Sequence, residues 1–148
     1  MIKVLYTDVT KTALKICYKA HSGQKDKSGL PYVFHPFHLA EQMETEDEIC
    51  VALLHDVMED TDTSPSDLVA AGIPQNYVDT LLLLTHAPDV PYLDYVEALK
   101  CNPVARKVKM ADLKHNSDLT RLDGKPTEKD LQRVDKYRKA LKILEDVD

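Results

Sequence analysis

The chain has 148 residues, of which 43% are hydrophobic and 30% charged, with only four glycines and eight prolines. This length predicts one domain over residues 1–148, and this composition excludes fibrous and disordered chains. The net charge of −6 argues against broad nucleic-acid binding, because such binding needs a basic surface that displaces counterions.

The cysteines and the N-terminus indicate a compartment. Cys17, Cys50 and Cys101 are far apart and form no CxxC pair, which excludes a disulfide framework and a zinc knuckle. The N-terminal segment has a polar residue every few positions, unlike a signal peptide. No stretch of the sequence is apolar enough to span a membrane. We therefore expect a cytoplasmic protein without a membrane segment.

Helix start signals recur along the chain, whereas strand signals do not. The predicted helices begin at or just after Thr7, Pro36, Thr45, Ser64, Pro74, Pro91, Asn102 and Thr127. The helix that follows Thr45 is predicted to continue through residue 60. The last helix is expected to bury one face that carries Leu131, Val134, Leu141 and Leu144. About eight helices with short loops predict an all-α domain of packed helices.

The stretch ALLHDVMED, residues 52–60, places one imidazole and three carboxylates at the end of an apolar helix. Residues three or four apart are neighbours on a helix, so His55, Asp56, Glu59 and Asp60 should cluster. Carboxylates at a helix C-terminus oppose the helix dipole, and a divalent metal would supply the missing positive charge. The alternative is a solvated acidic helix end with a surface histidine.

Two further residues fit such a metal site. His35 precedes Pro36 at a helix start, and Asp112 lies between apolar neighbours, where a buried carboxylate needs a counter-charge. His35, His55, Asp56 and Asp112 would form a mixed nitrogen and oxygen site. Such a site suits Mn²⁺ or another borderline divalent ion.

Three motifs occur in order: HSGQKDKSGLPYVFHP, ALLHDVMEDT and KMADLKHNSDLTRL. Together they resemble the HD-domain phosphohydrolases, and specifically the guanosine polyphosphate (ppGpp) 3′-pyrophosphohydrolases of the RelA/SpoT type, which act in the stringent response. The resemblance covers about residues 10–145 and includes no synthetase domain. It implies a small stand-alone hydrolase built as a single HD-domain helix bundle.

The resemblance also implies roles for individual residues. His35, His55, Asp56 and Asp112 match the family's metal ligands, for which Mn²⁺ is the usual ion. Glu59 and Asp60 match the pair that orients and activates the attacking water. The positions that match nucleotide contacts are Lys27, Ser28, Asn116 and Tyr137.

The chain departs from the family pattern in two places. Asp26 stands where the long enzymes carry an arginine that helps hold the guanine, and Leu119 stands where a threonine is common. The Asp26 carboxylate must point away from phosphates, accept hydrogen bonds from the Watson–Crick edge of guanine, or be solvated in a loop that contacts no base. Two alternatives therefore stay open: the same chemistry on a different nucleotide or phosphate ester, and a non-catalytic nucleotide-binding module.

The remaining charged residues carry weaker predictions. We expect His21 to cap the first helix or to support the ligands, His38 to be solvated, and His115 to face away from the site and pack. For Lys109 and Arg121 two interpretations remain open, a phosphate contact or a solvated charged surface.

Overall fold

The computed structural model describes residues 5–146, so the two ends of the domain predicted over residues 1–148 lie outside the described residues. Within this range the chain forms nine α-helices, two short 3₁₀ helices and no strand. The α-helices are α1 (Asp8–Ala20), α2 (Phe34–Glu41), α3 (Glu46–Leu54), α4 (Val57–Asp60), α5 (Pro65–Ala70), α6 (Gln75–Leu84), α7 (Tyr92–Ala98), α8 (Pro103–Asn116) and α9 (Glu128–Glu145). The all-α prediction is confirmed. Over residues 5–146, no helix combines the length and hydrophobicity needed to cross a membrane.

Local capping explains why the helices begin where the sequence predicted. Four helices start with a capping box. In it, the side-chain oxygen of the capping residue accepts the backbone N–H of the third helical residue, and the side chain of that residue accepts the backbone N–H of the capping residue. The capping residues are Thr7, Thr45, Ser64 and Thr127. Helix α2 begins at Phe34, two residues before Pro36, so His35 lies inside the first turn and not ahead of it.

Helix α3 forms the centre of the core. Its residues 49–54 are all fully buried, and it packs against α1, α2, α6 and α8. A helix that is apolar on every side requires such complete enclosure. Helix α3 therefore ends at the edge of the core, and the polar stretch begins there.

The helix predicted through residue 60 is instead two helices, α3 and α4, separated by His55 and Asp56. Nδ1 of His55 lies 2.7 Å from the carbonyl oxygen of Ala52 and donates to it. A continuous helix would offer that same carbonyl to the backbone N–H of Asp56. The side chain thus competes with the backbone ladder, and this break raises the predicted count of about eight helices to nine.

The buried face of α9 is shorter than predicted. Val134 and Leu144 are buried and Leu141 is half-buried, whereas Leu131 is 48% exposed. The prediction for Leu131 is therefore wrong. The first turns of α9 border the polar loop before α2, where Lys27 approaches Asp130, and so they do not face the apolar core.

Candidate metal centre and adjoining cavity

Four predicted ligands converge at the edge of the core. His35 comes from α2, His55 and Asp56 come from the break between α3 and α4, and Asp112 comes from α8. Each offers one ligand atom, and these atoms all lie within 4.8 Å of one another. We call these four residues the ligand cluster. Asp56 is half-buried and the other three are buried, so the cluster lies at the boundary between the core and solvent.

Both imidazoles turn Nε2 into the ligand cluster. Nδ1 of His55 is occupied by the Ala52 carbonyl, which leaves Nε2 at 2.9 Å from Oδ2 of Asp56 and 3.4 Å from Oδ1 of Asp112. Nε2 of His35 lies 2.9 Å from the same Oδ1 of Asp112. Among residues 5–146, no group forms a well-directed hydrogen bond with Nε2 of His55, although this atom is buried. A buried nitrogen without a partner suits a metal ligand.

The charges of the ligand cluster also favour a cation. Burial opposes a charged imidazole, yet the carboxylates of Asp56 and Asp112 outweigh it and raise the pKa of His55 well above its ordinary value. Burial lowers the pKa of His35 despite its contact with Asp112. The cluster therefore stabilises positive charge at Nε2 of His55. A divalent ion bound by two nitrogens and two carboxylates would supply that charge.

Lys109 supports Asp112 from the side away from the histidines. Its Nζ lies 3.0 Å from Oδ2 of Asp112, and its side chain is only 15% exposed. The ammonium also lies 5.4 Å from the ring centre of Tyr95 and 5.8 Å from that of Tyr92. Burial would raise the pKa of Asp112, but Lys109 and the two histidines hold it well below its usual range. Lys109 was expected either to contact a phosphate or to lie on a solvated charged surface. The structure favours neither, because Lys109 pairs with a predicted metal ligand.

The acidic pair lies on α4, one turn beyond the ligand cluster. Oε1 of Glu59 accepts the backbone N–H of His86 at 2.6 Å. The backbone carbonyl of Asp60 accepts the side-chain amide of Gln24 at 3.2 Å. Partial burial, followed by the charges of Asp56 and Glu59, raises the pKa of the Asp60 carboxyl. Asp60 therefore lies within electrostatic reach of the cluster without belonging to it.

A cavity of about 320 Å³ adjoins the ligand cluster, and all four residues predicted to contact the nucleotide line it. We call it the polar cavity. Its lining residues are Lys25, Asp26, Lys27, Ser28, Tyr32, Asn116, Asp118, Leu119, Arg121, Leu122, Arg133 and Tyr137. Two of these residues join it to the cluster, because Asn116 donates to Oδ1 of Asp112 at 3.0 Å and the Tyr32 hydroxyl donates to Asp56.

Asp26 has a structural use within the wall of the polar cavity. Its Oδ1 accepts the backbone N–H groups of Ser28 at 2.9 Å and Leu30 at 3.0 Å, which closes the turn before α2. Its Oδ2 lies 3.9 Å from a guanidinium nitrogen of Arg121. The carboxylate is thus neither solvated nor free, because half of it is committed to the loop backbone.

Arg121 lines the same cavity from the segment that follows α8. Its guanidinium donates to the carbonyl oxygen of His115 at 3.0 Å and to Oδ1 of Asn116 at 3.2 Å. The Ser28 hydroxyl donates to the carbonyl oxygen of Arg121, so this segment is hydrogen-bonded to the loop that holds Asp26. Arg121 is therefore a cation of the cavity wall, and the interpretation as a solvated surface is wrong.

Two residues near the ligands were not predicted. Tyr32 donates to Asp56, and its position three residues before His35 in the first motif was a usable signal. His115 was expected to face away, which is wrong, because its Nδ1 lies 2.7 Å from Nδ1 of His35. It follows Asp112 by three residues on α8, and the i, i+3 relation alone places both on one face. His21 is the C-terminal cap residue of α1, as predicted, and its side chain is buried, whereas His38 is exposed, as predicted.

No family model matches this chain. The guanosine-3′,5′-bis(diphosphate) 3′-pyrophosphohydrolase MESH1 of Danio rerio is 32% identical over 146 aligned positions, which cover 88% of this chain and 79% of that protein. The guanosine-3′,5′-bis(diphosphate) 3′-pyrophosphohydrolases of Aquifex aeolicus and Vibrio cholerae are 36% and 46% identical, over 43% and 34% of this chain. These matches span only 10% and 8% of those longer proteins.

The fold has a solved counterpart. The structure of a metazoan ortholog of SpoT that hydrolyzes ppGpp and plays a role in starvation responses superposes with a TM-score of 0.75. The superposition covers 97% of this chain and 89% of that one at 21% identity, so it establishes a shared fold. Because the fish relative is 32% identical over most of both chains, this chain belongs to the family of guanosine-3′,5′-bis(diphosphate) 3′-pyrophosphohydrolases.

Proposed function

We propose that the chain is a metal-dependent phosphohydrolase that converts ppGpp or pppGpp to GDP or GTP and releases pyrophosphate. One observation carries this proposal: the ligand cluster adjoins a cavity that contains every residue predicted to contact the nucleotide. The family relationship supports the same activity, because the fish relative bears the name of that hydrolase. We further propose Mn²⁺ as the ion, since two imidazoles and two carboxylates suit a borderline divalent metal.

The chemistry needs no nucleophilic side chain. When bound, a divalent ion supplies positive charge that polarises a phosphate oxygen and acidifies a water molecule. Glu59 and Asp60 would orient the attacking water and accept its proton. Water oxygen attacks the phosphorus bonded to the 3′ oxygen of the nucleotide. The bond from that phosphorus to the 3′ oxygen breaks, pyrophosphate leaves with the new oxygen, and the 3′ oxygen takes up a proton.

Residues of the polar cavity hold the rest of the substrate. Lys27 and Arg121 present cations from two different segments of the cavity wall, where they neutralise phosphate charge. Asn116 contacts both Asp112 and Arg121, so it couples nucleotide position to the ligand cluster. Tyr137 offers an apolar ring to the nucleotide at the α9 side of the cavity.

A second candidate function is the same hydrolysis on another nucleotide or phosphate ester. Asp26 favours it, because a carboxylate in the cavity wall replaces the family's arginine and lowers the positive charge available to guanosine polyphosphate. A purely binding role has less support, since Glu59 and Asp60 are both present.

We also propose that residues 1–148 act as one HD domain in the cytoplasm. The free thiols of Cys17 and Cys50 are buried, and burial raises the pKa of each to about 12, so these thiols are unreactive core groups. Such thiols are compatible with a reducing compartment.

The test is hydrolysis of a substrate panel by metal-free protein, before and after addition of Mn²⁺. The panel contains ppGpp, pppGpp, the adenine counterparts, and nucleotides without a 3′ diphosphate. We expect Mn²⁺-dependent release of pyrophosphate, fastest from the guanine compounds, and no release by a His55→Ala control. Faster turnover of an adenine compound or of a nucleotide without a 3′ diphosphate would support the second candidate, and an inactive protein that binds the nucleotides would favour the binding module.

A further inference from the structure

We infer that His115 is a positioning residue for the candidate metal centre, because it holds His35 in the tautomer that turns an unprotonated Nε2 toward the metal. This inference rests on the metal site of the proposed function and gives a role there to a residue that the sequence analysis expected to face away from it.

The contact between the two rings is an in-plane hydrogen bond. Nδ1 of His35 lies 2.7 Å from Nδ1 of His115, the ring planes are parallel within 3°, and the ring centres are 5.0 Å apart. Rings stacked face to face would keep these nitrogens at van der Waals distance. The rings therefore meet edge to edge, and one Nδ1 must donate while the other accepts.

The direction of that bond follows from the other nitrogen of His35. Nε2 of His35 faces the ligand cluster, at 2.9 Å from Oδ1 of Asp112. A metal ligand must present a lone pair, and a neutral imidazole carries only one ring proton. That proton must then lie on Nδ1 of His35 and be donated to His115. The opposite arrangement would place a proton on Nε2 and direct it at the metal.

His115 is held in place for this task. Its ring packs against His38 with ring centres 4.3 Å apart, and its carbonyl oxygen accepts Arg121 at 3.0 Å. The second histidine ligand has a simpler support, because Nδ1 of His55 donates to the backbone carbonyl of Ala52. A backbone carbonyl accepts in every variant, whereas the acceptor for His35 can be removed by changing one side chain.

Three variants test the inference. His115→Phe keeps a ring against His38 and removes the acceptor. His115→Asn removes the ring but keeps an oxygen near the position of Nδ1. His38→Phe is the matched control, since it makes the same change on the other side of His115 without touching the ligand cluster. The measurements are Mn²⁺ affinity of metal-free protein, by titration against free Mn²⁺, and the unfolding temperature in EDTA.

Loss of an outer hydrogen-bond partner of a metal ligand typically costs ~10–100-fold in metal affinity. We expect that loss for His115→Phe, substantial recovery for His115→Asn, and near wild-type affinity for His38→Phe. Equal affinity of His115→Phe and wild type, or no advantage of His115→Asn over His115→Phe, would overturn the inference. If His115→Phe unfolds in EDTA, the Asn variant decides, because weak Mn²⁺ binding by a folded His115→Asn also overturns it.

The outcome separates this inference from the proposed function. If Mn²⁺ affinity depends on His115 as described but ppGpp is not hydrolysed, the positioning role stands and the proposed substrate fails. If wild-type protein does not bind Mn²⁺, both fail.

Discussion

Replacement of Lys109 by methionine removes the one lysine or arginine that contacts a predicted metal ligand within residues 5–146. Nζ of Lys109 lies 3.0 Å from Oδ2 of Asp112, and the side chains are 15% and 8% exposed. At an effective dielectric constant near 20, attraction at this distance is about 5–6 kcal/mol before desolvation. Breaking a buried pair typically costs about 3–5 kcal/mol, because it strands the remaining charge. We expect Lys109→Met to lower the free energy of unfolding in EDTA by about 3–5 kcal/mol.

The assay is urea denaturation in EDTA and in excess Mn²⁺, with Lys107→Met as the matched control. Lys107 lies on the same helix and pairs with Glu48 at 2.9 Å, but its side chain is 37% exposed. Exposed pairs contribute only about 0–1 kcal/mol. Excess Mn²⁺ should stabilise Lys109→Met more than wild type, because the ion then neutralises a more negative cluster. Equal losses in the two variants would refute the reasoning.

A double variant identifies the cause of the loss. If the stranded carboxylate is responsible, adding Asp112→Asn to Lys109→Met should cost less than the sum of the two single changes. Strict additivity in EDTA would mean that the lysine stabilises the fold through its packing on Tyr92 and Tyr95 and not through charge.

Three further predictions follow from single carboxylates. Glu59→Gln should retain Mn²⁺ binding and lose ~10²–10⁴ in turnover; turnover close to wild type would assign water activation elsewhere. Asp26→Asn should leave the guanine-to-adenine preference unchanged, because Asp26 already accepts loop backbone N–H groups; a lowered preference would show that it contacts the base. Hydrogen bonds from the Thr127 backbone and Arg133 lower the pKa of Asp130, so its ionised form stabilises the fold above about pH 4, and this stabilisation is lost as the pH falls through the folded-state pKa. The difference in unfolding temperature between wild type and Asp130→Asn should therefore shrink on acidification, and a constant difference from pH 7 to pH 2 would contradict this.

Helix starts were predictable because their causes are local. The residues that cap α1, α3, α5 and α9 act within three positions of themselves, so the printed sequence contains the whole interaction. The four candidate ligands were found for a related reason. Their residue types and motif spacing identify them, and packing around the buried α3 then brings them together.

The features that were missed depend on which hydrogen-bond partner a side chain takes, and periodicity and motif spacing do not specify that partner. The helix break at His55 coincides with a hydrogen bond from its ring to the Ala52 carbonyl, which depends on a rotamer that no periodicity encodes. The contact of His115 with His35 requires knowing that α2 and α8 meet at this point, 80 residues apart in the chain. The role of Asp26 was hidden because the loop folds back on its own carboxylate.

The central claim is that His35, His55, Asp56 and Asp112 hold one divalent ion on which hydrolysis depends. The most direct measurement is the Mn²⁺ content of wild-type protein and His55→Ala after metal removal and reloading, determined together with pyrophosphate release from ppGpp. We predict one ion per chain in the wild type, and loss of both the ion and the activity in the variant. A His55→Ala protein that retains a full complement of Mn²⁺ would contradict the ligand assignment, and undiminished hydrolysis by metal-free wild type would contradict the mechanism.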